Sequence, residues 1–140
     1  MKIEVRYYSR GGTTSKLATA AAEAVGAVPM TVEDDLKEKC DLLLIGASVY
    51  AGRPDAKVIS FIQRNAVNIG AIAVFGSSAS GRSTFNAIKA AAQDVGIKVL
   101  ESDFTCYGPF MFLHKKHPTS EDLQRVKAFA RARVDEVSAK

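Results

Sequence analysis

Apolar residues change their spacing along this chain in a regular order, from the alternation of a strand to the three-and-four spacing of a helix and back. Met1 to Tyr8 holds the β-prone set Ile3, Val5, Tyr7 and Tyr8, and then Leu17, Ala20, Ala21, Ala24 and Val25 recur at helical spacing. Ala27 to Thr31 reads as a short strand and Glu33 to Lys39 as a short polar helix. Asp41 to Gly46 (DLLLIG) and Gly70 to Gly76 (GAIAVFG) are compact apolar runs bounded by turn signals, the pattern of strands buried on both faces. Between them, a helix from about Asp55 to Ala66 aligns Val58, Ile59, Ile62 and Ala66. A helix from about Ser83 to Val95 carries Phe85, Ile88, Ala92 and Val95, and Lys98 to Tyr107 reads as the last strand. Ser120 to Ser138 closes the chain as a helix with Leu123, Val126, Ala130, Val134 and Val137 in line. Pro118 and Thr119 announce its start, and Glu121 and Asp122 complement its dipole.

Strands alternating with helices predict an α/β fold, a doubly wound five-stranded parallel sheet with helices on both faces. At 140 residues, 47% hydrophobic, the chain is long enough for one domain with a real core, so residues 1–140 are read as a single domain. One feature resists the pattern: Glu4 and Arg6 sit on one face of a strand that this topology places centrally, where burying charge is costly.

In open α/β sheets ligands lie outside the carboxyl ends of the strands. Three loops emerge there: Ser9 to Thr14, Ala47 to Arg53 (ASVYAGR) and Ser77 to Thr84 (SSASGRST), all rich in small and hydroxyl-bearing residues. The first, Ser9, Arg10, Gly11, Gly12, Thr13 and Thr14, has the composition of a phosphate cradle. Free amides and the positive dipole end of a helix attract an anion, glycine allows close wrapping, and Ser9, Thr13 and Thr14 carry hydroxyl donors. The alternative is an ordinary turn with Thr13 or Thr14 as the helix N-cap. The loop lacks both G-x-x-x-x-G-K-[ST] and G-x-G-x-x-G, which leaves a mononucleotide-type loop.

The net charge of +4 is mild and its charges are scattered, with no basic helix or aromatic-studded basic stretch, so nucleic acid is not the expected partner and anionic ligands or acidic partners are. No apolar run approaches the roughly 20 residues of a membrane span. Lys2, Glu4 and Arg6 alternate with apolar residues, unlike a signal peptide, so a soluble cytoplasmic protein is expected. Cys40 and Cys106 lack metal-like spacing and read as packing residues at strand borders. His114 and His117 flank Lys115 and Lys116 in a basic loop without acidic or cysteine ligands, which suits neither a metal nor hydrolytic catalysis. Arg10, Arg53 and Arg82 fall one in each ligand-edge loop, either as independent solvated side chains or as a shared positive field.

With these loops in view, the chain resembles the flavodoxin family over its whole length. Ser9, Gly12 and Thr14 match the family's [ST]-x-T-G-x-T phosphate loop, with Gly11 where a hydroxyl residue is usual. The stretch from Cys106 to Arg131 is similar to the C-terminal part of short flavodoxin-like proteins. The resemblance implies a strand order of 2-1-3-4-5 and FMN as cofactor. It also implies that Ser9, Arg10, Gly11, Gly12, Thr13 and Thr14 surround the phosphate. Ser48, Val49, Tyr50, Ala51 and Gly52 then line the flavin ring, with Tyr50 stacking and the Ala51–Gly52 peptide near N5, while Ser77, Ser78, Ala79, Ser80 and Gly81 meet the ring's polar edge. The third loop lacks the aromatic residue that many flavodoxins place over the other ring face, leaving that face open or covered by Tyr107, Phe110 or a partner. Flavodoxins that act as low-potential carriers are typically acidic, whereas this chain is basic, and positive charge near a reduced flavin raises its potential. The function implied is electron transfer with a redox partner bearing an acidic docking surface. Two alternatives stand beside it: an FMN-dependent NAD(P)H:quinone-type oxidoreductase, and a flavin-free interaction module on the same fold.

Overall fold

The computed structural model describes residues 1–49, 53–78, 82–107 and 117–139. The elements run β1 (Ile3–Tyr7), α1 (Thr13–Val25), β2 (Pro29–Thr31), β3 (Leu42–Ser48), α2 (Ala56–Arg64), β4 (Ala71–Ser78), α3 (Phe85–Asp94), β5 (Lys98–Val99), β6 (Phe104–Tyr107) and α4 (Ser120–Ser138), with a 3-10 turn at Ala66–Asn68. All strand pairs are parallel and the order is β2-β1-β3-β4-β5, as the resemblance implies. Leu17, Ala18 and Ala21 of α1 and Val126 and Ala130 of α4 bury Val5, Leu44 and Phe75 on one face of the sheet. Val58, Phe61 and Ile62 of α2 and Ile88 and Ala92 of α3 bury Leu43, Ile45 and Val74 on the other. Every residue of β4 is buried, because helices cover both of its faces.

Two expectations about local structure fail. Lys98 to Tyr107 is not one strand: β5 pairs with Ala71 and Ile72 and β6 with Phe75 to Ser78, so the same edge of β4 is filled twice and the sheet has six strands rather than five. At the break Leu100 is buried in the core, and the exposed Glu101 pairs with Lys89 at 2.9 Å. Glu33 to Lys39 forms turns instead of a helix. A polar segment of that length gains little from helix formation, and here its groups are claimed from outside. The Leu36 amide donates to Asn65 Oδ1 at 2.9 Å, Asn65 Nδ2 donates to Asp35 at 3.1 Å, and Leu36 is buried.

The same turn resolves the charge on β1. Arg6 is only 3% exposed, yet its Nη1 donates to Glu4 Oε1 at 2.6 Å and its Nε to the Asp34 carbonyl at 3.1 Å. The guanidinium is buried with a carboxylate and a carbonyl, the condition under which a buried charge is tolerated. Cys40, just before β3, and Cys106, within β6, are both buried free thiols, and burial pushes them up to about 11 and about 12 respectively, so neither is a thiolate near neutrality.

Candidate functional site

β1, β3, β4 and β6 all end at one edge of the sheet, and their carboxyl ends gather the predicted loops. Helix α1 begins there in an unusual way. Its N-cap is Gly12, in the left-handed region at φ 89°, with no side-chain cap and no acidic residue in the first turn. Neither Thr13 nor Thr14 is the N-cap. An L side chain at Gly12 would be strained, and a Cβ at Gly11 or Gly12 would meet nothing within 4 Å, so the loop's outer side is open. Ser9 Oγ accepts from the Gly12 amide at 3.0 Å, which tightens the loop across the helix start. The first-turn amides have no side-chain acceptor, and the dipole there is uncompensated. That is the chemistry of an anion cradle.

Thr14 does something that sequence reasoning missed. It is fully buried, and its Oγ1 lies 2.7 Å from Ser48 Oγ and 3.1 Å from Ser77 Oγ, with the two serines 3.3 Å apart. Three hydroxyls carry three protons, and a closed triangle uses all three. Thr14 is therefore a strut that ties the start of α1 to the ends of β3 and β4. Its hydroxyl faces its neighbours rather than the open side of the loop. Gly46 makes this approach possible, since a Cβ there would stand 2.4 Å from the Phe75 ring and 3.1 Å from the Thr14 methyl group. At Gly76 a Cβ would lie 2.0 Å from the Ala47 carbonyl, so β3 and β4 are also held close just before their loops.

Arg10 extends to Asp55, Nη2 to Oδ2 at 2.8 Å, and Asp55 also caps α2 by accepting from the Lys57 amide at 2.9 Å. The Lys57 amide and the Arg10 guanidinium together hold the Asp55 carboxyl below its ordinary value. Part of the positive charge expected from the three arginines is thus met inside the chain, while Arg53 and Arg82 are exposed at their loops. Val49 donates its amide to the Ser77 carbonyl at 3.1 Å, and Ser78 is buried beside Tyr107, its partner in register. Among the expected site residues, Tyr50, Ala51, Gly52, Ala79, Ser80 and Gly81 lie outside the described residues, as do Phe110 and His114. Tyr107 is 44% exposed at the end of β6, and its ring lies 5.8 Å from that of His117. His117 Nδ1 in turn is 2.6 Å from Asp122 Oδ2, so this histidine belongs to the start of α4.

Asp55 was legible only as a helix start, and its hold on Arg10 spans 45 positions of sequence. A second unanticipated feature is a pocket of about 350 Å³ on the β2 side of the loop, with Tyr7, Tyr8, Thr31 and Glu33 beside Ser9, Arg10, Gly12 and Ser15. Glu33 directly beyond β2 was the available signal. No helix among the described residues is long and apolar enough to cross a membrane, and no group of three or more His, Cys, Asp or Glu among them is arranged to hold a metal ion.

Comparison with known proteins agrees with this architecture. A flavodoxin from the domain Archaea superposes with a TM-score of 0.81 at 19% identity, over 99% of both chains. Flavodoxin 2 from Bacillus cereus gives 0.70 at 18% identity, over 97% of this chain and 99% of that one. Rubredoxin oxygen:oxidoreductase from Desulfovibrio gigas gives 0.73 at 17% identity, over 99% of this chain but 36% of that larger one. No curated protein sequence matches significantly. At these identities the structural matches speak for the fold. The sequence itself matches the family described as Flavodoxin domain over residues 5–98, a span from β1 to the start of β5 that includes the uncapped loop and both serine-bearing strand ends, and the chain belongs to the flavodoxin family.

Proposed function

We propose that this protein binds FMN at the carboxyl edge of its sheet and carries electrons to or from a partner with an acidic docking surface. The observation that carries the reading is the start of α1: an uncapped helix with a left-handed glycine, no first-turn acid and a hydroxyl triangle directly behind it. This arrangement suits a phosphate monoester. The bound flavin would supply one- or two-electron redox chemistry.

The residues then divide their work. The backbone from Ser9 to Thr14 would hold the phosphate, with Ser9 fixing the loop and the helix dipole supplying most of the attraction. The Thr14, Ser48 and Ser77 hydroxyls would keep the three ligand loops in register. Arg53 and Arg82 would present positive charge at the rim and favour an acidic partner. Ser48, Val49, Tyr50, Ala51 and Gly52 would line the ring, with Ser77 to Gly81 at its polar edge.

Reconstitution with excess FMN, desalting and a visible spectrum test the reading, followed by anaerobic titration with dithionite to count electrons. A flavin band that survives desalting supports it, and a colourless protein overturns it. Thr14→Val probes the strut: loss of the hydroxyl should weaken FMN binding about fivefold, the order expected when one buried hydrogen-bonding group is removed. An unchanged dissociation constant would remove the triangle from the site.

A further inference from the structure

The phosphate loop has a second open side. A flavin phosphate at the start of α1, with its ring toward the loops of β3 and β4, would leave β2 uncovered, because the strand order is β2-β1-β3-β4. The 350 Å³ pocket lies on that side. Its volume is at the lower end for small-molecule sites, a size suited to a nucleoside rather than to a whole cofactor. We propose that this pocket receives the adenosine end of a flavin dinucleotide, so that the site takes FAD as well as FMN; the inference rests on the flavin reading above.

Three observations on the chain's own residues support this. Glu33 stands two residues beyond β2 and lines the pocket. In doubly wound sheets that bind dinucleotides through a G-x-G-x-x-G turn, a carboxylate at the end of the second strand hydrogen-bonds the ribose hydroxyls; this chain shares the placement of the carboxylate without that turn. Tyr7 and Tyr8 line the pocket, and Tyr7 Oη lies 3.5 Å from Ser15 Oγ, so hydroxyl-bearing side chains border the space a nucleoside would fill. Cations flank both ends: Arg10 lines the pocket beside the loop, and Lys57 Nζ is 3.5 Å from Glu33 and 5.1 Å from the Tyr8 ring centre. A diphosphate passing from the α1 start toward Glu33 would lie beside Arg10, whose Nη2 is held by Asp55.

Isothermal titration of the apoprotein with FMN and with FAD, on the native chain and on Glu33→Ala, tests the inference. The Glu33 side chain is 70% exposed, so its removal leaves the fold intact, as a circular dichroism melt would verify. FAD should bind the native chain at least as tightly as FMN. Glu33→Ala should weaken FAD about tenfold, the order expected for lost hydrogen bonds to a carboxylate, while FMN changes less than about twofold. FMN bound with FAD tenfold weaker, or a Glu33→Ala effect equal on both flavins or absent, overturns this inference and leaves the FMN reading standing. Failure of both flavins to bind overturns both.

Discussion

Helices α1 and α4 pack side by side on one face of the sheet and begin at the same edge, but their starts are built in opposite ways. At α4 the Thr119 hydroxyl accepts from the Asp122 amide at 3.1 Å and the Asp122 carboxylate accepts from the Thr119 amide at 2.8 Å, a complete capping box. Glu121 adds a second first-turn acid, and His117 closes on Asp122. At α1 the N-cap is a left-handed glycine with no side-chain cap and no first-turn acid, and Ser9 Oγ takes only the Gly12 amide. The closed start is satisfied from within its own few residues and has no need of a ligand. The open start leaves its first-turn amides and dipole without a side-chain partner, the state in which a helix end can accept an anion.

Closing the open end should have the largest effect. Gly12→Asp would place a carboxylate at the cradle, and two unit charges about 4 Å apart repel by about 4 kcal/mol at the effective dielectric near a protein surface. FMN affinity by titration should then fall at least about a hundredfold, and binding within about threefold of the native chain would mean the phosphate lies elsewhere. Opening the closed end is a smaller perturbation of a different kind. Asp122→Ala removes the bonds to Thr119 and His117 and should cost about 2 kcal/mol in urea unfolding. Flavin affinity should stay unchanged, and a parallel loss of both would show that the two starts are coupled.

The subtlest prediction concerns pH. Burial raises the Asp122 carboxyl, but the Thr119 amide and His117 outweigh it, and the group sits below its ordinary value of 3.8. A carboxyl lowered on folding contributes stability that is present above its unfolded value and lost as pH falls through the folded one. Native stability should therefore drop below about pH 4. The acid limb of Asp122→Ala should be shallower in a series of urea melts, and identical limbs would place the titration in other carboxylates such as Asp55.

Much of this fold was readable in order along the chain. The bounds of α4 match the expectation from Ser120 to Ser138, because a helix with a capping signal and a long apolar stripe declares itself locally. The two central strands were equally plain as short apolar runs, each extended by two residues at its carboxyl end into Ser48 and Ser78. The site was legible as three loops and a list of small and polar residues. Its internal wiring was not, since Thr14 reaches Ser48 across 34 positions and Ser77 across 63. A hydroxyl next to a glycine turn reads as a ligand donor until its partners are seen.

The sequence by itself determined most of the order of strands and helices, the hydroxyl-rich stretches that follow β1, β3 and β4, and the flavodoxin likeness, because periodicity, turn chemistry and short motifs act within a few residues. Tertiary structure alone decided that Arg6 is buried with Glu4 and the Asp34 carbonyl, that the segment after β2 is drawn to Asn65 instead of coiling, and that the last strand breaks around Leu100. It also decided that Thr14 turns inward and that Glu33 borders a pocket beside the phosphate loop. Each of these depends on which distant group arrives to satisfy a hydrogen bond or share a buried surface, and that is set only when the sheet has assembled.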